Sequence, residues 1–301
     1  MFRPTPTWRR VLKIAALVCA SSLTMTSCGV VNFLTNRSNV VDGVGRIPGG
    51  NFASLVTLPE GVSVEFPELL GPMMGPQVGG PRVLMIGDSI MASTSSRYGN
   101  EMCDTLTQLG WKVEVEAQTG SFVDFGLKVL GQRLEDGWDT AVIFLGTNYD
   151  GNQANYENKM RQIFEGLSPT PFVVLTTALF DPRQQEVNDV IMKLASEFSN
   201  VTVLDWGTIA ANNGLIGKDG VHLTADGRSV FAAAIARALE FAPTREGECL
   251  PIYFKSDAPV PGVMPDETVP AGTDTSTSIA GVLPDTSTTL PQELTACSFV
   301  A

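Results

Sequence analysis

The chain contains a single histidine, His222, in 301 residues. Any chemistry that needs an imidazole base must use that residue. Positive charge is also scarce, with 20 Lys and Arg against 32 Asp and Glu. Nucleic acid is gripped by neutralising phosphates, so this balance argues against a nucleic-acid partner. Five cysteines are present, but no CxxC pair, no HExxH and no histidine cluster. The usual zinc sites are thereby excluded, and nothing calls for a metal or other cofactor. The apolar run over 11–23 is too short for a comfortable membrane span.

What stands at the start reads as an export signal over 1–27. Arg3, Arg9, Arg10 and Lys13 make it basic, no acid precedes Asp42, and the apolar run follows. Its end, Met25-Thr26-Ser27-Cys28-Gly29, resembles a bacterial lipobox, in which the cysteine is lipidated and becomes the mature N-terminus. This predicts an exported protein, lipid-anchored through Cys28 to the extracytoplasmic face of the cell membrane without a spanning helix. The open alternative is an ordinary signal peptide with Cys28 as a stray thiol. Export implies an oxidising compartment, and Cys249 with Cys297 is the expected disulfide. Cys103 then reads as a buried thiol in a helix.

Residues 28–80 are rich in Gly, Pro, Asn and Val, with turn signals at Gly49-Gly50, Pro72 and Gly79-Gly80-Pro81. They read as a spacer, with one segment (62–70) able to lie against a domain. Order is expected over 81–242. Short apolar runs over 83–86, 112–116, 140–145, 172–176 and 201–204 read as buried strands. Between them, 98–109, 122–134 and 156–164 read as helices. A further helix carries Val187, Val190, Ile191, Leu194 and Phe198 on one face. Thr224 caps a last helix over 225–239. Five strands alternating with helices predict an α/β fold with a five-stranded parallel sheet. From Pro243 the pattern fades, and 243–301 reads as a Thr/Ser/Pro-rich tail.

In parallel sheets, ligands bind beyond the C-terminal ends of the strands. Ser89 follows the first strand in Gly87-Asp88-Ser89, Gly120 the second, and Asn148 the third in Gly146-Thr147-Asn148. A serine hydroxyl is a weak nucleophile and needs a base. His222 supplies one, and Asp219, three residues earlier, can fix its tautomer and stabilise the imidazolium. The N–H groups of Ser89 and Gly120 and the Asn148 amide are the right donors for a developing oxyanion. Each has a plainer reading as a helix cap or turn residue.

Together these residues resemble the SGNH (GDSL-like) hydrolase superfamily, whose signature Ser, Gly, Asn and His match Ser89, Gly120, Asn148 and His222. The resemblance covers residues 82 to about 240. It implies a flavodoxin-like three-layer α/β/α fold, a Ser89-His222-Asp219 triad and a three-donor oxyanion hole. Val174-Leu175-Thr176-Thr177, Asp181-Pro182-Arg183, Asn188, Val203-Leu204-Asp205-Trp206 and the run from Asp219 to Thr224 also look like the SGNH domains of cell-wall O-acetyltransferases. The resulting expectation is an exported serine esterase acting on an O-acyl, notably O-acetyl, ester of carbohydrate or lipid. Two alternatives stay open: an O-acyltransferase for cell-wall glycans, and a non-catalytic wall-binding lipoprotein.

Overall fold

A computed structural model describes residues 52–254. The predicted signal peptide, the lipidation site Cys28, Cys297 and the tail beyond 254 lie outside the described residues. A short helix, α1 (Phe52–Leu55), leads by an extended segment and a 3₁₀ turn to β1 (Arg82–Gly87). Then follow α2 (Ser89–Ala92), α3 (Glu101–Thr107), β2 (Lys112–Ala117), α4 (Asp124–Arg133), β3 (Thr140–Phe144), α5 (Gln153–Leu167) and β4 (Phe172–Leu175). The chain continues through α6 (Gln184–Glu197), β5 (Val201–Leu204), α7 (Trp206–Ala210), α8 (Ala225–Leu239) and β6 (Glu248–Cys249).

The sheet order is β5-β4-β3-β1-β2-β6, and every pairing is parallel. Among the described residues the sheet therefore has six strands, not the five expected. The extra one is two residues long, too short for a periodic signal, and pairs Glu248 and Cys249 with Lys112 and Val113 at the edge of β2.

Strand side chains alternate between two hydrophobic clusters because successive residues point to opposite faces. Val83 and Met85 of β1 join one cluster, while Leu84 and Ile86 join the other. The first is completed by Met102 and Leu106 of α3, Trp206 of α7, and Phe231 and Ile235 of α8. The second takes Val129 of α4, Phe164 of α5, and Val187, Ile191 and Leu194 of α6. Phe231 stands edge-on to both Phe144 and Trp206, with ring centroids 5.3 and 4.8 Å apart. Such pairs contribute about 1 kcal/mol each beyond burial. Helices thus flank the sheet, and the central strands β3 and β4 are almost wholly apolar because both of their faces are covered.

The segment over 62–70 lies against the domain as expected, and part of the stretch read as tail is packed as well. Val62, Val64, Phe66 and Leu69 lie against the first cluster, and Leu70 bridges antiparallel to Val203 at the β5 edge. At the opposite edge, β6 is held by a disulfide to Cys103 in α3, not by the expected pairing of Cys249 with Cys297. The Cα atoms of Cys103 and Cys249 are 5.8 Å apart. Sequence proximity favoured the wrong partner, because the fold carries residue 249 back across the edge beside α3. Beyond β6, the buried Glu116 accepts hydrogen bonds from the N–H groups of Tyr253 (2.7 Å) and Phe254 (2.6 Å). Phe254 packs edge-on against Phe125. Glu114 beside it is paired through both oxygens with Arg133, at 2.7 Å each.

The connection from β2 to β3 steps over β1, so the strand order reverses between β1 and β3. A crevice at the C-terminal ends of such a strand pair is the general ligand position in open α/β sheets.

Candidate active site

Strand register brings the predicted residues to one rim. Gly87 is level with Ala117 of β2 and Phe144 of β3. Ser89, Gly120 and Asn148 lie two, three and four residues beyond those three positions. All three therefore leave the sheet at the same end, with Ser89 and Asn148 just beyond the two strands that bound the crevice.

Ser89 is the first residue of α2 and is buried. Asp88 caps that helix, its Oδ1 accepting from Ile90 N–H at 3.0 Å. This short helix turns the chain sharply after β1 and holds the hydroxyl at the helix start, where the unpaired N–H groups favour negative charge.

His222 arrives from the far end of the chain. Its loop is closed by the N–H of Gly217 donating to the carbonyl of His222 (2.7 Å) and by an antiparallel bridge between Ile216 and Leu223. Gly220 takes φ +75° in the turn, a conformation that favours glycine. Two residues after His222, Thr224 caps α8 through the N–H of Gly227 (3.0 Å), which fixes the direction of the chain. The imidazole Nε2 lies 3.1 Å from Ser89 Oγ, across 133 residues of sequence. Its Nδ1 lies 2.7 Å from Asp219 Oδ2. The other carboxylate oxygen accepts from the N–H groups of Val221 and His222, each at 3.0 Å.

Burial alone would raise the Asp219 carboxyl. The bonds from Val221 N–H, the imidazole and His222 N–H outweigh it and hold the group below its ordinary value. Asp219 is thus ionised at neutral pH. An ionised carboxylate only accepts, so it holds the ring with Nδ1 protonated and leaves Nε2 free to take the serine proton.

Gly120 has φ +74° in the turn after β2, so its backbone orientation is one a side chain would strain. The Asn148 amide donates to the carbonyl of Ser121 at 3.1 Å, which ties the loops after β2 and β3 together. An amide nitrogen carries two hydrogens, so one donor remains for a ligand. The structure links Ser89 to Asp219 through His222. Gly120 and Asn148 share their rim.

Asp181 and Arg183 pair with each other at the surface (2.8 Å). Asn188 is buried and clamps Thr177, accepting from its N–H (2.8 Å) and donating to its carbonyl (2.9 Å). These bonds shape the loop after β4. Asp88, in sequence only a part of the Gly-Asp-Ser turn with a cap residue's role, is wholly buried. A carboxylate just after an apolar strand was the available signal. Among the described residues, no three His, Cys, Asp or Glu side chains converge as a metal site.

Fold and site together define a class: a parallel α/β protein with a serine–histidine–aspartate relay at the topological switch point. No protein-family model matches the chain. A curated relative is the Bacillus subtilis (strain 168) protein named "Putative peptidoglycan O-acetyltransferase YrhL", 29% identical over 163 residues. The match takes in 52% of this chain and 24% of the relative, so the chain spans about a quarter of that protein's length. Among solved structures, a lipase/acylhydrolase from Enterococcus faecalis is similar at TM-score 0.46 and 21% identity. It is matched over 52% of this chain and 93% of its own. The C-terminal catalytic domain of Streptococcus pneumoniae peptidoglycan O-acetyltransferase A, with a methylsulfonyl adduct, gives TM-score 0.44 and 20% identity. That match spans 53% of this chain and 92% of the other.

Proposed function

We propose that this protein is a serine-dependent acyl-transfer enzyme, an SGNH-type esterase acting on O-acetyl or similar esters of carbohydrate. The carrying observation is the hydrogen-bonded path from Ser89 Oγ through the only imidazole to Asp219. In the first half-reaction, His222 Nε2 takes the Ser89 proton as Oγ attacks the ester carbonyl. Negative charge forms on the carbonyl oxygen, where the N–H groups of Ser89 and Gly120 and the Asn148 amide are the proposed donors. Preorganised donors of this kind lower the barrier by roughly 3–4 kcal/mol each. The imidazolium, stabilised by Asp219, then protonates the departing alcohol and leaves an acyl-Ser89. Water attacks next, His222 takes its proton, and acid and free serine are released.

Transfer is the second reading, favoured by the name of the Bacillus relative. There a glycan hydroxyl replaces water in the second half-reaction. The first half is unchanged, so only product analysis with a glycan acceptor separates the two. A three-layer α/β/α arrangement is supported by the clusters on the two faces of the sheet. Export and a lipid anchor at Cys28 remain part of this proposal and rest on the leader sequence alone. Purified mature protein should release acetate from an activated acetate ester, and Ser89→Ala should remove the activity. Equal rates for the two proteins would reject the enzyme reading in favour of a non-catalytic wall-binding role.

A further inference from the structure

Asp88 is fully buried directly beneath the nucleophile. Its Oδ1 caps the helix that begins with Ser89, and its Oδ2 accepts from the N–H of Thr147 at 3.2 Å. Thr147 immediately precedes Asn148, the proposed oxyanion donor. The Thr147 side chain adds a further bond to the same carboxylate. The N–H of Asp88 itself donates to the carbonyl of Phe144 (3.2 Å), carrying the β1–β3 pairing one step past the sheet. One side chain therefore joins the loop that presents the attacking oxygen to the loop that presents the amide.

Helix capping does not explain this choice. Serine or asparagine caps a helix without burying a charge. Two separate N–H donors, on two loops, need two acceptor oxygens, and an ionised carboxylate supplies both. Burial opposes ionisation and pushes the Asp88 carboxyl up to about 6. The bonds from the Thr147 side chain, Ile90 N–H and Thr147 N–H hold it back from a larger shift. The ionisable groups that sense it are His222 from the loop before α8 and Tyr156 from α5. Tyr156 is itself fixed by donating a 2.6 Å bond to the carbonyl of Leu145, in the loop after β3 that carries Thr147 and Asn148.

We propose that Asp88 is a positioning residue: its ionised carboxylate holds the Asn148 loop in register with Ser89, so the oxyanion donors are aligned only while both of its oxygens accept. The proposal rests on the acyl-transfer reading above. Protonation places an O–H against one of two N–H donors. That contact is lost, and the Thr147–Asn148 loop loses its tie to the nucleophile turn.

The consequence is a second proton in the acid limb of turnover. His222 must be free to act as base and Asp88 must be ionised, so two protons enter the acid limb: log kcat for hydrolysis of an activated acetate ester should approach a slope of two at low pH, with the Asp88 step near 6. Asp88→Asn keeps one oxygen for Ile90 and turns an amide N–H₂ toward Thr147. It should lower kcat about 100-fold, the loss of one aligned oxyanion donor, with KM within about twofold. Its acid limb should have slope one. Asp88→Ser retains a cap but cannot span both loops, and should lose kcat to the same degree. Should neither variant fold, the wild-type limb decides, since a slope of one overturns the proposal. Wild-type kcat in Asp88→Asn also overturns it while leaving the enzyme reading intact. If wild type fails to turn over and Ser89 resists a fluorophosphonate, both fall together.

Discussion

The disulfide between Cys103 and Cys249 gives the sharpest stability prediction. These residues are 146 apart in sequence. Closing a loop of that length removes about 17 cal/mol/K from the unfolded chain, or about 5 kcal/mol at 25 °C. That value is the entropic limit, and it is comparable to the whole stability of many domains. Cys249 lies on an exposed edge strand, so Cys249→Ser changes little there besides the crosslink. Cys103 is buried in the first cluster, so Cys103→Ala is the matching variant. Urea unfolding followed by fluorescence of the buried Trp111 and Trp206 measures both. Each single variant, and the double, should lose about the same amount, up to roughly 5 kcal/mol. Cys297→Ser should change nothing. A loss in Cys297→Ser with Cys103→Ala neutral would refute the assignment of the crosslink.

Three further outcomes are expected. Asp219→Asn leaves the ring without a carboxylate to fix its tautomer, so kcat should fall roughly 10³–10⁴-fold with the fold intact, as read by steady-state kinetics and circular dichroism. Burial and the hydrogen bond to Glu114 raise the Glu116 carboxyl from 4.5 to about 7. A raised carboxyl favours the native state when neutral, so its stabilisation is present below pH 4.5 and lost as pH rises through about 7. Asp88 acts in the same direction. Urea midpoints from pH 4.5 to 7.5 should decline in wild type and decline less in Glu116→Gln. Phe231→Ala should cost about 3–5 kcal/mol in the same assay, because the ring contacts both Phe144 and Trp206.

The central strands were legible in the sequence because strands covered on both faces are written as unbroken apolar runs. Val83 to Ile86 and Thr140 to Phe144 are of this kind. The last helix was equally plain, since Thr224 caps it and it spans Ala225–Leu239. Ser89 and His222 could be singled out by residue type and by position after strands, and their approach to 3.1 Å follows from sheet order. Elsewhere the signal was weak for physical reasons. A two-residue strand such as Glu248–Cys249 has no period to detect, and its pairing is decided by the crosslink and by the Glu116 carboxylate. Residues 62–66 alternate Val, Ser, Val, Glu and Phe, half-buried and exposed in turn, but among the described residues this extended segment pairs with the sheet only through Leu70, so its period of two marks a covering segment and not a strand. The bridging role of Asp88 depends on Thr147, 59 residues away, which local sequence does not reveal.

Labelling of the mature protein with a fluorophosphonate, read by peptide mass spectrometry, tests the relay most directly. The account predicts a single adduct on Ser89 that forms readily in wild type and is severely slowed by His222→Ala. An adduct elsewhere, or equal labelling rates with and without the imidazole, would contradict it.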